Sequence, residues 1–536
     1  MNKLHGSKLL LFLSFVFFFS LLLSIFYPLA FQTFSTSDDA GFLLAGLDFF
    51  HFFDEPSIEN LIIYSFRLAA FGWGPFTIFV TVINVAFFSI LNIPLSEFVL
   101  RLPFIFFGAI SPIVAFFFVK RFHNEKSAVL SALLVTVLPI HIIQSVRPGG
   151  NWLIAATLLM ASLYFFAEYA KSSGSRYSVI TPFLIALYFL TDNQFLGIIP
   201  LLIFTSLLFQ DRKNLFDRIK ETFLIFSPKF FVIFFLIFSP VLLQFLYYAN
   251  QGTPQYGFLG HFLEKTLSPG FYVFYILGLL KDYLGGALLL LLPFSLLTGL
   301  YSAIRLEKKS IFFIWFLVYS IPYFFLLPPS LTGPGMYLIG AAFSSTILAS
   351  ILLTDLFDFI RKKTNNLRIH FLSPFAAFLL IIVTFSYFFT PTYVANDLEN
   401  SAGRGLRTAG YFIRENFSEE VLILTDFEPS VARIYFGREP IAEYDLSLSE
   451  FRDFFNRTAE KADLIVLSET AYLNLKDELP QAQSLAAVVK RENKDLLFIS
   501  SKNGKNSIQQ LDVNEYDILF TEKYGNYASL YSEKIW

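Results

Sequence analysis

Long apolar runs, most of them bounded at one end by a short basic cluster, fill the first 390 residues of this chain. A helix needs about 20 consecutive apolar residues to cross a bilayer, and charges within that stretch are costly. So many runs of that length leave one fold class, a polytopic bundle of transmembrane helices. The composition agrees: of 536 residues, 55% are hydrophobic and 15% charged, where a soluble chain carries about a quarter charged. A net charge of −2 with no basic tract offers nothing to nucleic acid. Cysteine is absent, which excludes disulfides, thiolate metal sites and cysteine nucleophiles. The few histidines never fall in an H-x-x-x-H spacing.

Apolar length and polar breaks place about eleven spans, at 9–31, 98–119, 127–144, 151–170, 178–190, 194–210, 223–248, 282–303, 310–327, 335–357 and 370–390. The first is too long for a signal-peptide core, and Ala30-Phe31-Gln32 makes a poor cleavage site, so it is read as a retained helix. Residues 75–93 pose a choice: they either cross or lie in the first outer loop as an interfacial or re-entrant helix. Basic residues decide it. If the segment does not cross, Lys3/Lys8, Lys120/Arg121/Lys126, Lys171/Arg176, the 212–229 cluster, Arg305/Lys308/Lys309 and Arg361/Lys362/Lys363/Arg368 share one side. Cytoplasmic loops are the ones enriched in Lys and Arg. The expected topology therefore has a cytoplasmic N-terminus and an extracytoplasmic C-terminus.

The outer loops then hold a concentrated polar set. The first, about 32–97 in extent, opens with Thr36-Ser37-Asp38-Asp39-Ala40-Gly41 directly after the first span. Two readings of the acidic pair stand open. Thr36 with Asp39 three residues on is a capping-box pattern, and aspartates suit the positive end of a helix dipole. Alternatively, Asp38 and Asp39 form an acidic site at the membrane interface. Arg147 follows another span, Asp192 and Asn193 stand between two short ones, His261 and Lys265 lie in the 249–281 loop, and Tyr337 ends a Pro/Gly-rich stretch. Each has an ordinary alternative: headgroup snorkelling for Arg147, a turn for Asp192-Asn193, solvation for His261 and Lys265, and the aromatic belt for Tyr337.

Past Pro391 the composition turns polar. Residues 421–425, 463–467 and 496–500 read as buried strands and 398–416 as a helix. The expected division is a transmembrane domain over 1–391 and a small soluble α/β domain over 392–536, outside the membrane.

Asp38-Asp39-Ala40-Gly41-Phe42-Leu43 resembles the D-[DE]-A-x-x-L start of the first outer loop in GT-C glycosyltransferases, a group that includes the protein mannosyltransferases and the aminoarabinose transferases of lipid A. Trp73-Gly74-Pro75-Phe76 stands where H-P-P-L or K-P-P-L is usual, Leu100-Arg101-Leu102-Pro103 matches L-R-L-P, and Lys120-Arg121-Phe122 stands at a basic turn. His141-Ile142-Ile143-Gln144-Ser145-Val146-Arg147 resembles F-H-I-x-x-Q-x-x-R, with Ser145 in place of a frequent Glu. Leu190-Thr191-Asp192-Asn193 replaces L-T-H-Y, and Gly335-Met336-Tyr337-Leu338 sits where R-Y-L is common.

This resemblance implies a GT-C-like helical bundle that moves a sugar from a polyprenyl-phosphate donor to an acceptor hydroxyl of a glycan, lipid or protein, at the outer face of the bilayer. By position the general base is Asp38. Asp39 points about 100° away on a helix and suits orienting or capping. The departing lipid phosphate needs positive charge, for which Arg147 and then Lys265 are the candidates. Some members of the group use a divalent metal. Asp38, Asp39 and His261 are the residues that would hold one, no spacing demands it, and no obligatory metal is expected. An oligosaccharyltransferase subunit is disfavoured because W-W-D-Y-G does not occur. A transporter would call for paired repeats or mid-span charges, and a non-catalytic scaffold is the remaining alternative.

Overall fold

The computed structural model of the chain describes residues 2–26, parts of 43–47, 75–147, 151–172, 176–191, 198–209, 225–250, 269–325, 339–364 and 367–387. In the C-terminal region it describes most of 417–443, 448–467 and the segments 484–489 and 496–501, with a few single positions elsewhere. The helices follow the apolar runs: α1 (Asn2–Phe26), α2 (Pro75–Ile90), α3 (Glu97–Phe122), α4 (Glu125–Thr136), α5 (Pro139–Gln144), α6 (Asn151–Ser172) and α7 (Tyr177–Thr191). Then come α8 (Ile198–Phe209), α9 (Pro228–Asn250), α10 (Pro269–Ile304), α11 (Ile311–Phe325), α12 (Ile339–Thr364) and α13 (Leu367–Tyr387). Among the described residues, five helices are long and apolar enough to cross a membrane. Leu236 and Leu290, about three-quarters exposed at 74% and 76%, stand on the outside of the bundle, where a bilayer, unlike water, welcomes them.

Two breaks depart from the expected spans. The run 127–144 is two helices, because Pro139 pushes Leu138 out of the helical region to ψ 126°. Within α10, Gly285 adopts φ 74° and ψ 159°, a region that L side chains almost never enter. Residues 269–304 are therefore two helical stretches that meet at this glycine: the second matches the expected 282–303, and the first lies in what was expected to be loop.

The core of the bundle is aromatic. Phe118 meets Phe312 edge-on at 5.1 Å, Phe122 meets Phe209 at 5.1 Å, and Trp315 is fully buried beside Phe118. Edge-to-face rings fill irregular interhelical space and add about 0.5–1.5 kcal/mol per pair beyond burial.

One end of this bundle is laced by charge. His123 Nε2 lies 2.9 Å from Asp355, Lys309 Nζ 2.7 Å from the same carboxylate, Lys126 2.6 Å from Asp358, and Arg121 2.7 Å from Glu168. Burial pulls the Lys309 ammonium down, but the hydrogen bond and charge of Asp355 outweigh it and hold the pKa above the ordinary lysine value. Lys229 reaches Ser178 at the same level, at the starts of α9 and α7. Arg121, Lys126, Lys229 and Lys309, from basic clusters that the sequence places on one side, are thus brought to one end.

Helix α2 runs antiparallel to α3. Asn84 donates to the Val99 carbonyl at 2.8 Å, and Phe76, in the first turn of α2, meets Phe107. Phe107 lies ten residues into α3, about 15 Å from its start at 1.5 Å per residue. The first turn of α2 therefore stands beside the middle of α3 rather than its basic end.

In the C-terminal region β1 (Ile423–Thr425) is followed by α14 (Pro429–Phe436), α15 (Leu448–Thr458), β2 (Leu464–Leu467), β3 (Ser484–Val489) and β4 (Leu496–Ser501). The sheet order is β1-β2-β4-β3, with β1 parallel to β2 and the other pairs antiparallel. Successive strand residues face opposite sides. Leu424, Ile465 and Leu467 meet Phe451, Phe454 and Phe455 of α15. Ile423, Leu464 and Val466 join a second cluster that includes Val431 and Tyr435 of α14, Leu43, Leu44 and Leu47, Val85 of α2, and Val99 and Leu100 of α3. One face of the sheet therefore shares its core with the first loop and the start of α3.

Candidate functional site

Helix polarity decides which candidates share an end. With α3 ending at the charged end, α4 and α5 run back from it, and Arg147 follows α5. α7 and α9 both start at the charged end, through Ser178 and Lys229, so Thr191 and Asn250 lie opposite. α10 finishes at the charged end beside Lys309, and α12 reaches that end at Asp355. The helix ends that flank Arg147, Asp192-Asn193, the 251–268 segment and Tyr337 thus point to the end opposite the charges. Asp38, Asp39, Asp192, Asn193, His261, Lys265 and Tyr337 themselves lie outside the described residues, and Arg147 is described.

At that opposite end a polar framework ties α1, α3 and α5 together. Ser96 caps α3 by accepting from the Val99 amide, which places Glu97 and Arg101 one turn apart at its start. Both side chains are buried, at 0% and 1% exposure, and Arg101 Nη2 lies 2.6 Å from Glu97 Oε1. The other fork of the guanidinium, Nη1, donates to the Val146 carbonyl at 2.9 Å. That carbonyl belongs to the peptide unit that leads into Arg147, which is half-buried.

His141 and Ser145 hold the same segment from the other side. The Gly108 carbonyl can only accept, so His141 Nε2, 2.9 Å away, carries the proton, and Ser20 of α1 donates to the same oxygen at 3.2 Å. Ser145 Oγ lies 2.6 Å from the Ile142 carbonyl and 2.7 Å from Ser24 Oγ. A hydroxyl has one proton, so Ser145 gives its own to Ile142 and Ser24 donates to Ser145. Such close approach needs Gly108: a Cβ there would sit 2.4 Å from Ser145 Cβ. Gly108→Ala is accordingly expected to destabilise the protein by about 1–3 kcal/mol, read as a lower thermal midpoint in detergent. An unchanged midpoint would show that α5 is not clamped against α3.

A second knot joins α7, α11 and α12. The hydroxyls of Tyr188 and Tyr319 are hydrogen-bonded, and Gly340 lies against the Tyr319 ring. The ring of His141 lies 6.1 Å from that of Phe343, one turn into α12. The end of α7 before Asp192 and the start of α12 after Tyr337 are thereby linked to the segment that carries Arg147.

Sequence reading missed two of these residues. Arg101 was legible only as one letter of L-R-L-P, and Glu97 was not singled out. The signal was present: a Glu and an Arg four apart entering an apolar span, where ionisable groups are rare and paired. Among the described residues no group of three or more His, Asp or Glu side chains converges as a metal site would require.

The comparisons agree with this architecture. Residues 78–243 match the family described as dolichyl-phosphate-mannose-protein mannosyltransferase. No curated protein sequence matches the chain. Among solved structures, ArnT from Cupriavidus metallidurans bound to undecaprenyl phosphate superposes with a TM-score of 0.57 at 14% identity, over 92% of this chain and 98% of that one. The archaeal oligosaccharyltransferase AglB from Archaeoglobus fulgidus, in complex with an inhibitory peptide and a dolichol-phosphate, gives 0.53 at 14% identity, over 86% and 69%. The same oligosaccharyltransferase in complex with Zn and sulfate gives 0.54 at 15% identity, over 89% and 72%. The chain has the fold of ArnT and of the archaeal oligosaccharyltransferase, and residues 78–243 carry the mannosyltransferase family match.

Proposed function

We propose that this protein transfers a sugar from a polyprenyl-phosphate carrier to an acceptor hydroxyl, at the end of the bundle opposite the basic clusters. One observation carries the reading. Ser24, near the end of α1, is bonded to Ser145, and Leu43, where the chain is next described, shares a buried cluster with Val99 and Leu100 beside Arg101. Both flanks of the segment bearing Asp38 and Asp39 are therefore anchored to the framework that holds Arg147. A carboxylate within about 3 Å of an acceptor hydroxyl can take its proton as the new C–O bond forms, and Asp38 is assigned that role. The electron pair of the broken bond goes to the lipid phosphate, whose charge Arg147 meets with a forked, permanently ionised donor set. Asp39, Asp192, Asn193, His261, Lys265 and Tyr337 are assigned to donor and acceptor binding around that pair.

The basic end is assigned to the cytoplasm, which puts transfer and the C-terminal α/β region on the extracytoplasmic side. The donor class is supported by the undecaprenyl phosphate and the dolichol-phosphate named with the two neighbours. No step is routed through a metal. The Ser145 departure from the motif leaves the framework intact, because its hydroxyl is used between α1 and α5. Membranes containing the protein are expected to pass labelled sugar from a polyprenyl-phosphate donor to an endogenous acceptor. Absence of transfer with a full panel of such donors would replace this reading with the scaffold or transporter one.

A further inference from the structure

The buried ion pair Glu97–Arg101 has more structure than an interhelical contact requires. A guanidinium placed in an apolar span is costly, and pairing it with one carboxylate oxygen leaves donors over. Here Nη1 donates to a backbone atom, the Val146 carbonyl, at 2.9 Å. The preceding residue, Ser145, is tied to Ile142 and to Ser24 of α1 through its hydroxyl. The carbonyl stands one residue before Arg147, in a stretch where the helix has ended and backbone torsions are not fixed by helical bonding.

We infer that Arg101, braced by Glu97, is a positioning residue that fixes the direction in which Arg147 presents its guanidinium to the lipid phosphate. The role rests on the proposed phosphate grip of Arg147. In this role Arg101 acts through the backbone, by way of the Val146 carbonyl. A planar fork is needed because one ammonium cannot bridge the Glu97 carboxylate and a carbonyl on another helix with the same two directions. A lysine at this position keeps the charge and the pair with Glu97 while releasing Val146.

The test is binding, which needs no acceptor and no sugar. Undecaprenyl phosphate is titrated onto the full chain in nanodiscs of neutral lipid, for wild type, Arg101→Lys, Arg147→Ala and the double variant, with thermal midpoints measured alongside. Arg101→Lys is expected to weaken binding about tenfold, the equivalent of one charge-assisted hydrogen bond, with the fold retained. In the Arg147→Ala background it is expected to have no further effect, because a residue that acts only through Arg147 has nothing left to position. Full additivity of the two changes, or unchanged affinity in Arg101→Lys, would overturn the positioning role and leave the phosphate grip standing. If Arg147→Ala alone leaves affinity unchanged, the grip is wrong and the positioning role falls with it. Should Arg101→Lys fail to fold, Glu97→Gln, which preserves volume and removes the brace, is put through the same cycle against Arg147→Ala. Weaker binding that vanishes as an effect in the Arg147→Ala background then supports the positioning role, and additive or absent weakening overturns it.

Discussion

Asp38→Asn is expected to lower the rate of sugar transfer by about 10²–10⁴-fold, the usual contribution of a positioned general base. The amide keeps the size and the hydrogen-bonding reach of the carboxylate but cannot hold a proton. Donor affinity is expected to stay near that of the wild type, since the phosphate is gripped elsewhere. Asp39→Asn is expected to do less, because adjacent helical positions diverge by about 100° and one hydroxyl needs one base. Initial rates with labelled donor in membrane preparations measure both. Wild-type rates in Asp38→Asn would remove Asp38 as the base and return the acidic pair to the capping role that Thr36 and Asp39 also allow.

Removing one partner of the buried pair at the start of α3 is expected to be the most damaging single change to stability. Glu97→Ala leaves the Arg101 guanidinium, 1% exposed, without its carboxylate, at a cost of about 3–5 kcal/mol. Replacing both by uncharged residues of similar volume, Glu97→Gln with Arg101→Met, is expected to recover most of that loss. The remainder is the Val146 carbonyl left without its donor, about 1–3 kcal/mol. The order of half-lives at elevated temperature in detergent is therefore wild type, then double variant, then Glu97→Ala. A double variant less stable than the single one would show that the charges hold the fold directly instead of positioning a segment.

How much of this was legible in the residues depends on which force sets each feature. The long apolar helices were legible because lipid imposes a length and charges mark the ends: 98–119 became Glu97–Phe122 and 151–170 became Asn151–Ser172. The break before Pro139 was written in the sequence but masked by an unbroken apolar run. The helical stretch from Pro269 to Gly285 was missed because Lys281 and Asp282 read as the end of a loop, whereas the span that follows the break, 282–303, was legible. Strands 421–425 and 463–467 announced themselves with continuous Leu, Ile and Val, whereas Ser484–Val489 carries two alanines and gave no strand signal. Of the site, the sequence offered Arg147 but not its support. The bonds from Arg101 to Val146 and from Ser24 to Ser145 span 45 and 121 residues, and no local pattern reveals a partner that tertiary packing chooses. His141, quoted only as a motif letter, serves as a strut between α5 and α3.

The central claim is one of sidedness, and the absence of native cysteine makes it directly measurable. Single cysteines placed at positions 38, 147 and 126 are probed in intact cells with a membrane-impermeant maleimide, then again after permeabilisation. The account predicts that 38 and 147 react from outside and that 126, in the basic cluster, reacts only once the membrane is opened. Labelling of 38 and 147 from opposite faces would contradict it, because no single pocket could then hold both the base and the phosphate grip.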